Sequence, residues 1–197
     1  MDEIKINSKY LDNVIFIEMN NPPVNALSTS FLDDFSKTLD KIPVDAKVVV
    51  FKSLVKGFSA GADLKERSHM NDESAINTVS DIGRLFQKIE SISCPTIARI
   101  EGFALGGGLE LALSCDFRVA TSDSILGFPE TSLGIIPGAG GTQRLTRLIG
   151  LSKAKEWIFT AKRFDAPKAL QDGVIDKIFN TSEQMDHFIE KFATDIK

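Results

Sequence analysis

Two glutamates stand alone in long uncharged stretches of the sequence. Between residues 102 and 115 the only acidic or basic residue is Glu110, and between residues 125 and 141 the only one is Glu130. The neighbouring residues are small, apolar or hydroxyl-bearing, a composition typical of buried chain. A buried carboxylate loses its hydration, so it must be hydrogen-bonded, paired or protonated. Because burial raises its pKa towards neutrality, such a group suits acid–base catalysis.

A structural role is the alternative for each of these glutamates. Either one could cap a backbone amide or pair with an arginine such as Arg118 or Arg144, and for a single residue we would favour that interpretation. Two such residues, each beside glycine-rich chain, favour function instead. The sequence therefore predicts a site with two working carboxylates.

The glycine-rich segments suggest a second component of this site. Gly106-Gly107-Gly108 comes directly before a predicted helix, so unhindered amides could point outward with the positive end of the helix behind them. One such donor to a developing oxyanion is commonly worth ~10²–10³ in rate. Close helix–strand packing is the alternative explanation for these glycines. Neither this cluster nor the one at 138–141 has the spacing of a dinucleotide or P-loop fingerprint.

Other chemistries and partners are poorly supported by the composition. His69 and His187 are the only histidines, and neither lies near a glycine-rich turn or an acidic cluster, so we expect neither a catalytic triad nor a metal site. Cys94 and Cys115 are predicted to be reduced packing residues. A net charge of −4 gives no indication of nucleic-acid binding. With neither an export signal nor a long apolar run, we expect a cytoplasmic protein with no membrane contact.

The periodicity of apolar residues predicts a mixed α/β fold in one domain. Predicted strands are a hairpin containing Ile4, Ile6 and 14–17 around Asp12-Asn13, a strand at 48–51 that is buried on both faces, and strands at 96–100, 117–120, 125–128 and 174–179. Predicted helices are one capped by Ser28 with Phe31, Leu32, Phe35 and Leu39 inward, one at 73–92 with Ile76, Val79, Ile82, Phe86 and Ile89 inward, and others at 109–113, 142–149, 152–160 and 183–196.

Three segments resemble motifs of the enoyl-CoA hydratase/isomerase (crotonase) family. Residues 59–66 (SAGADLKE) resemble its CoA-binding turn, and residues 102–112 (GFALGGGLELA) resemble its oxyanion-hole and first-acid motif. Residues 128–130 (FPE) with 134–145 (GIIPGAGGTQRL) resemble its second-acid motif. The resemblance implies a crotonase-like ββα spiral core, and residues 1–197 are expected to form this core domain.

The resemblance also implies roles for individual residues. Ala62 and Gly107 would donate the two amides of the oxyanion hole, and Glu110 and Glu130 would be the catalytic acids. The residues expected to bind substrate or CoA are Val24, Ala26, Leu27, Ala60, Ala62, Asp63, Leu64, Lys65, Gly107 and Gly138. Asp63 followed by Glu66 is also a capping-box pattern, so its side chain is expected to cap a helix.

Glutamates at both acid positions are typical of the family's hydratases, the closest being the short-chain enoyl-CoA and 3-methylglutaconyl-CoA hydratases. The implied reaction adds water to a trans-2-enoyl-CoA, as in fatty-acid β-oxidation. It needs no metal or separate cofactor, since coenzyme A is part of the substrate. A double-bond isomerase and a non-catalytic acyl-CoA-binding subunit remain alternatives. Acyl preference is expected to depend on residues 67–82.

Family members continue beyond the position of Lys197 with a helical segment that covers the active site and forms the trimer interface. We therefore expect the present chain to lack that segment, to expose an apolar patch in its place, and to form a homotrimer or hexamer when the segment is supplied. A mitochondrial location is expected instead of a cytoplasmic one if a transit peptide has been removed.

Overall fold

The computed structural model describes residues 5–11 and 14–196. The strands are β1 (Lys5–Leu11), β2 (Val14–Asn20), β3 (Ala26–Leu27), β4 (Val48–Ser53), β5 (Gly61–Ala62), β6 (Thr96–Ile100), β7 (Phe103–Leu105), β8 (Phe117–Thr121), β9 (Ile125–Gly127), β10 (Arg163–Asp165) and β11 (Lys177–Phe179). The helices are α1 (Thr29–Leu39), α2 (Leu64–Arg67), α3 (Asp72–Glu90), α4 (Gly107–Leu113), α5 (Gly141–Ile149), α6 (Leu151–Phe159), α7 (Ala166–Asp172) and α8 (Ser182–Asp195), with a 3-10 turn at Pro129–Leu133.

A six-stranded sheet in the order β1-β2-β4-β6-β8-β11 forms the centre of the fold. The β1–β2 pair is antiparallel, as expected for the predicted hairpin, and the remaining pairs are parallel. Ile4 and the turn residues Asp12 and Asn13 lie outside the described residues. The remaining strands form two smaller sheets, in the orders β10-β9-β7 and β3-β5. The mixed α/β class predicted from periodicity is confirmed.

The central sheet is buried on both faces. In β4, Val49 and Phe51 belong to the main core, whereas Val48 and Val50 face the cluster that includes Met185 of α8. Each of these four strand residues is fully buried. This alternation confirms the prediction that residues 48–51 form a strand covered on both sides.

Most helix predictions are confirmed with small shifts at the ends. The Ser28 hydroxyl accepts from the Phe31 amide and caps α1. One inward assignment in α3 is wrong, because the Ile76 side chain is 66% exposed. The strand predicted at 174–179 is shorter, since Val174 is buried in the turn that follows α7, where its amide donates to the Ala169 carbonyl. The sequence interpretation missed the short strands β3, β5, β7 and β10, helix α7 and the 3-10 turn.

Helix α4 lies unusually close to the chain before β5, and this contact depends on a glycine. A Cβ on Gly108 would overlap the Ser59 carbonyl oxygen and stand 2.8 Å from the Ser59 carbonyl carbon. Ser59 is fixed, because its hydroxyl donates to the Asn25 carbonyl and accepts from the Gly61 amide. The packing explanation considered for the glycine cluster therefore holds at this position.

Gly108→Ala is expected to lower the free energy of unfolding by about 2 kcal/mol or more, because neither backbone can move without breaking these contacts. Gly83→Ala is the matched control: it lies in the interior of α3 and a Cβ there would meet nothing within 4 Å. That variant should gain up to about 1 kcal/mol from helix propensity. Urea denaturation of both measures the contrast, and equal stability of the two variants would contradict it.

Candidate active site

Glu110 and Glu130 are brought together at one cavity. Glu110 lies in α4 and Glu130 in the 3-10 turn after β9, and their exposures are 3% and 9%. The cavity has a volume of about 120 Å³. It is lined by Ala60, Ala62, Leu64, Arg67, Val79, Ile82, Gly106, Gly107, Glu110, Pro129, Glu130, Leu133, Ile135, Ile136, Gly138 and Ala139. Two carboxylates in an otherwise largely apolar wall suit acid–base chemistry on a partly apolar substrate.

The Glu110 carboxylate is held by backbone amides. Its Oε1 accepts from the Ala139 amide at 2.8 Å and from the Gly141 amide at 2.7 Å. Burial raises the pKa of Glu110, and these two hydrogen bonds oppose the rise without cancelling it. Gly141 must be a glycine for this approach, because a Cβ there would stand 2.8 Å from the Glu110 Cγ.

Neither arginine proposed as a partner pairs with a glutamate of the site. Arg118 donates to the carbonyls of Val174, Cys115 and Asp116. Arg144 instead binds Glu90. Of the structural alternatives raised from the sequence, the amide-capping interpretation is right for Glu110 and the arginine-pairing interpretation is wrong.

Glu130 lies in a different environment. Among the described residues, its buried Oε2 has no hydrogen-bond partner. Burial raises its pKa to about 7, a hydrogen bond from its own backbone amide opposes this rise, and the negative charge of Glu110 adds to it. Gly106, at a φ of 53°, lets the carboxylate approach the backbone, because a Cβ there would stand 2.8 Å from Oε1. Glu130 therefore holds a proton more readily near neutral pH than an exposed glutamate does.

Two further backbone segments meet beside the glutamates. A Cβ built on Gly107 would lie 3.4 Å from the Ala62 amide nitrogen, and one on Gly61 would lie 2.7 Å from the Gly107 amide nitrogen. The end of β5 and the start of α4 are therefore in direct contact. Amides in the first turn of a helix have no intrahelical acceptor, so the Gly107 N–H can serve a ligand.

Ala60, Leu64 and Gly138 line the cavity together with Ala62 and Gly107, whereas the remaining predicted binding residues do not. Those outside it are Val24, Ala26, Leu27, Asp63 and Lys65. Leu27 and Asp63 instead line a neighbouring space of about 10 Å³ that Ala62 also borders.

The segment from Val24 to Leu27 supports the site backbone. The Val24 carbonyl accepts from the Ala60 amide at 3.0 Å. Ala26 and Leu27 form β3, which pairs with β5, and Leu27 Cδ1 lies 3.0 Å from the Cβ position of Gly107. The Lys65 side chain is exposed.

Asp63 caps α2 as predicted, since its Oδ1 accepts from the Lys65 and Glu66 amides at 2.9 and 3.0 Å. The reciprocal half of the capping box is absent, because Glu66 accepts from the amide and hydroxyl of Thr29. Asp63 therefore orders the turn that ends β5, and Glu66 ties α2 to α1.

Sequence reasoning missed several lining residues. Arg67 and the apolar residues Leu133, Ile135 and Ile136 were not assigned to the site, although Arg67 opens the segment expected to control acyl preference. Three of the apolar lining residues are largely exposed: Leu133 at 56%, Ile136 at 64% and Leu64 at 57%. The available signal was the apolar segment 133–137 (LGIIP), which begins three residues after Glu130. That these side chains belong to the apolar patch expected where the family's C-terminal segment packs stays a prediction.

The histidines lie apart from the cavity. His69 is exposed at the end of α2, with its Nδ1 2.8 Å from the Lys65 carbonyl oxygen. His187 is exposed on α8 beside a separate cavity of about 700 Å³.

Within residues 5–11 and 14–196, no cluster of His, Cys, Asp and Glu is placed to hold a metal ion. No helix in the described part of the chain is both long and apolar enough to cross a membrane.

Glu130→Gln is expected to change how stability depends on pH. The Glu130 pKa of about 7 lies above its ordinary value of 4.5. The stabilisation of the folded state by protonated Glu130 is therefore fully present below pH 4.5 and is lost as pH rises through 7. Between pH 4.5 and 7 the free energy of unfolding of the wild type should fall by up to about 3 kcal/mol relative to that of Glu130→Gln. Urea unfolding at a series of pH values measures the difference, with Glu190→Gln on the surface of α8 as the control. A pH-independent difference would rule out the raised pKa.

Residues 10–196 match the sequence model of the enoyl-CoA hydratase/isomerase family. The chain is 48% identical over 165 residues to mouse mitochondrial methylglutaconyl-CoA hydratase, covering 82% of this chain and 52% of that protein. It is 45% identical over 174 residues to the human mitochondrial enoyl-CoA hydratase domain-containing protein 2, covering 86% and 60% respectively. The chain spans between about half and two thirds of the length of such curated relatives.

Solved structures give the same result for the fold. The enoyl-CoA hydratase of Bacillus anthracis superposes with a TM-score of 0.92 at 40% identity, covering 97% of this chain and 76% of that one. The enoyl-CoA hydratase of Thermoplasma volcanium also reaches 0.92, at 30% identity, covering 98% and 78%. The chain belongs to the enoyl-CoA hydratase/isomerase family and has the crotonase fold.

Proposed function

We propose that this protein adds water across the double bond of a trans-2-enoyl-CoA to give a 3-hydroxyacyl-CoA. The observation that carries the proposal is the pair of buried glutamates in unlike environments at one cavity. Glu110 is ordered by two amides, whereas Glu130 has a pKa of about 7 and a carboxylate oxygen without a partner among the described residues. One group is thus suited to hold a water molecule and the other to give and take a proton.

The amides of Ala62 and Gly107 form the proposed oxyanion hole. Their proximity is supported by the contacts between β5 and the start of α4. A thioester oxygen placed between them gains negative charge when water attacks the β-carbon, and fixed backbone donors stabilise that charge without reorganising. The first-turn position of Gly107 adds the positive end of α4.

In the proposed reaction a water molecule lies between the two carboxylates. Glu110 accepts a hydrogen bond from the water and polarises it, so that the water oxygen bonds to the β-carbon while the π electrons move towards the thioester. Protonated Glu130 gives its proton to the α-carbon, and the proton released by the water restores Glu130. Both acids end the cycle as they began, and the Gly138 amide is a further candidate for orienting the water.

The acyl-CoA thioester is the proposed substrate, with coenzyme A present only as part of it. Its adenylyl and pantetheine portions would follow the chain around β3 and β5, and the exposed Lys65 is available for a phosphate. Ala60, Asp63 and Leu64 supply backbone along this path, with Val24, Ala26 and Leu27 behind it. The trimeric or hexameric assembly and the cellular compartment stay predictions.

Glu110→Gln and Glu130→Gln are each expected to lower kcat for hydration of crotonyl-CoA by ~10²–10⁴, because each removes one half of the acid–base pair. Loss of the absorbance of the conjugated thioester measures the rate, and Glu190→Gln serves as the exposed control. Wild-type activity should also decline as pH rises through about 7, since Glu130 then loses the proton it must donate.

A wild-type protein that binds acetyl-CoA without hydrating crotonyl-CoA would replace the proposal with the non-catalytic binding role. Faster conversion of a 3-enoyl-CoA to its conjugated 2-enoyl isomer than hydration of crotonyl-CoA would favour the isomerase. Acetyl-CoA binding, crotonyl-CoA hydration and 3-enoyl-CoA isomerisation are measured on the same preparation, so the three functions can be compared directly.

A substrate with a distal carboxylate is the second candidate. Arg67 is the single basic residue among those lining the cavity, and within the described residues its side chain makes no ion pair. A guanidinium facing a largely apolar acyl site suits a substrate that carries a negative charge beyond the double bond. Methylglutaconyl-CoA, named for the mouse relative, has such a group.

Glutaconyl-CoA and crotonyl-CoA form a matched pair of substrates for this candidate, because they differ by one terminal carboxylate. Arg67→Met is expected to lower kcat/KM for glutaconyl-CoA by about 10–100-fold while leaving that for crotonyl-CoA within a few-fold, since only the charged substrate loses a charge-assisted hydrogen bond. Steady-state kinetics with both substrates measure the ratio. An equal loss for both would remove Arg67 from acyl recognition.

A further inference from the structure

The loop at 138–141 positions Glu110 but has no side chain capable of fixing its own conformation. Its sequence is Gly-Ala-Gly-Gly, and Gly140 adopts a φ of 106°. Two of its amides nevertheless define where the Glu110 carboxylate lies. Because glycine-rich chain loses more conformational entropy on ordering than other sequences, the loop must be ordered by contacts from outside it.

Arg144 of α5 makes such a contact. Its Nη1 donates to the Ala139 carbonyl at 2.8 Å, and the guanidinium fills the space that a Cβ on Gly140 would need. The Ala139 carbonyl stands in the chain between the two amides that bind Glu110. Holding this carbonyl towards Arg144 therefore constrains the directions of both amides.

Glu90, the last residue of α3, fixes Arg144 in turn. Its two carboxylate oxygens accept from Arg144 Nε at 2.9 Å and from Nη2 at 2.7 Å. The Arg144 side chain is only 11% exposed, and its guanidinium lies 6.0 Å from the centroid of the Phe86 ring. A bidentate pair specifies orientation as well as distance, so the end of α3 determines the placement of the loop.

We infer that Glu90 and Arg144 are positioning residues that set the Ala139 and Gly141 amides, and through them the Glu110 carboxylate. The consequence for catalysis rests on the proposed hydratase function. Arg144 also acts through charge, since its field lowers the pKa of Glu110 that burial raises. The other charged groups around Glu110 are Glu130 on the 3-10 turn and Arg67 of α2, with Glu90 behind Arg144.

Kinetics of Glu90→Gln, Arg144→Gln and the double variant test the catalytic consequence, with Lys155→Gln on the exposed face of α6 as the control. The first two variants should lower kcat for crotonyl-CoA by about 10–100-fold with KM within about threefold, because a misplaced group impairs the reaction more than binding. In Arg144→Gln the acid limb of the pH profile should also move to higher pH, because Glu110 loses a positive charge that lowers its pKa. The double variant should be no worse than Arg144→Gln, because the pair acts as one unit.

Amide hydrogen exchange of residues 138–141 tests the positioning without any turnover. Exchange there should become at least about tenfold faster in Glu90→Gln and Arg144→Gln and remain unchanged in Lys155→Gln. Unchanged exchange in both variants, or a loss of kcat in Arg144→Gln with an unmoved pH profile, would overturn the inference. An inert wild type would instead refute the proposed function, and the exchange rates would still decide whether the pair orders the loop.

Discussion

Close approach of bare backbone is the constraint on which the site depends. Glycines at 61, 107 and 108 let β5, the chain before it and α4 touch, and glycines at 106 and 141 let the two carboxylates reach the backbone. A Cβ at any of these positions would stand closer to a neighbouring atom than ordinary van der Waals contact allows, so the segments would have to move apart. The glycines therefore bring backbone amides to a cavity whose other walls are mostly apolar side chains, and β5 and β7 of the smaller sheets pack against α4.

The two glutamates differ because both lose hydration on burial, whereas the hydrogen bonds that replace the lost water differ between them. Glu110 loses water but gains two amide donors, so its negative charge is partly stabilised inside the protein. Glu130 loses water without such compensation at Oε2 and also faces the charge of Glu110. Burial raises the pKa of both side chains, but the hydrogen bonds that oppose the rise differ between them. Unlike environments of this kind are how proteins separate the roles of two neighbouring carboxylates.

Much of this arrangement could be predicted from the sequence, and the omissions have physical causes. An isolated glutamate in an apolar stretch signals burial directly, and glycine clusters signal backbone contact, so Glu110, Glu130 and Gly107 were identifiable. Ile76 was misassigned because periodicity gives the apolar stripe of a helix but not where along its length the core ends. The partners of Arg144 were not predictable, because its bond to Glu90 joins residues 54 positions apart and depends on tertiary packing.

The glycine-rich segments of the site depend on neighbouring elements for their conformation. Loops made almost entirely of glycine can approach a substrate closely, yet they carry no side chains that could stabilise one conformation over another. The order they need must come from neighbouring elements: Leu27 beside Gly107, the Ser59 hydroxyl on Gly61, and Arg144 against Gly140. Residues with no contact to the cavity can therefore control the geometry of the reacting groups.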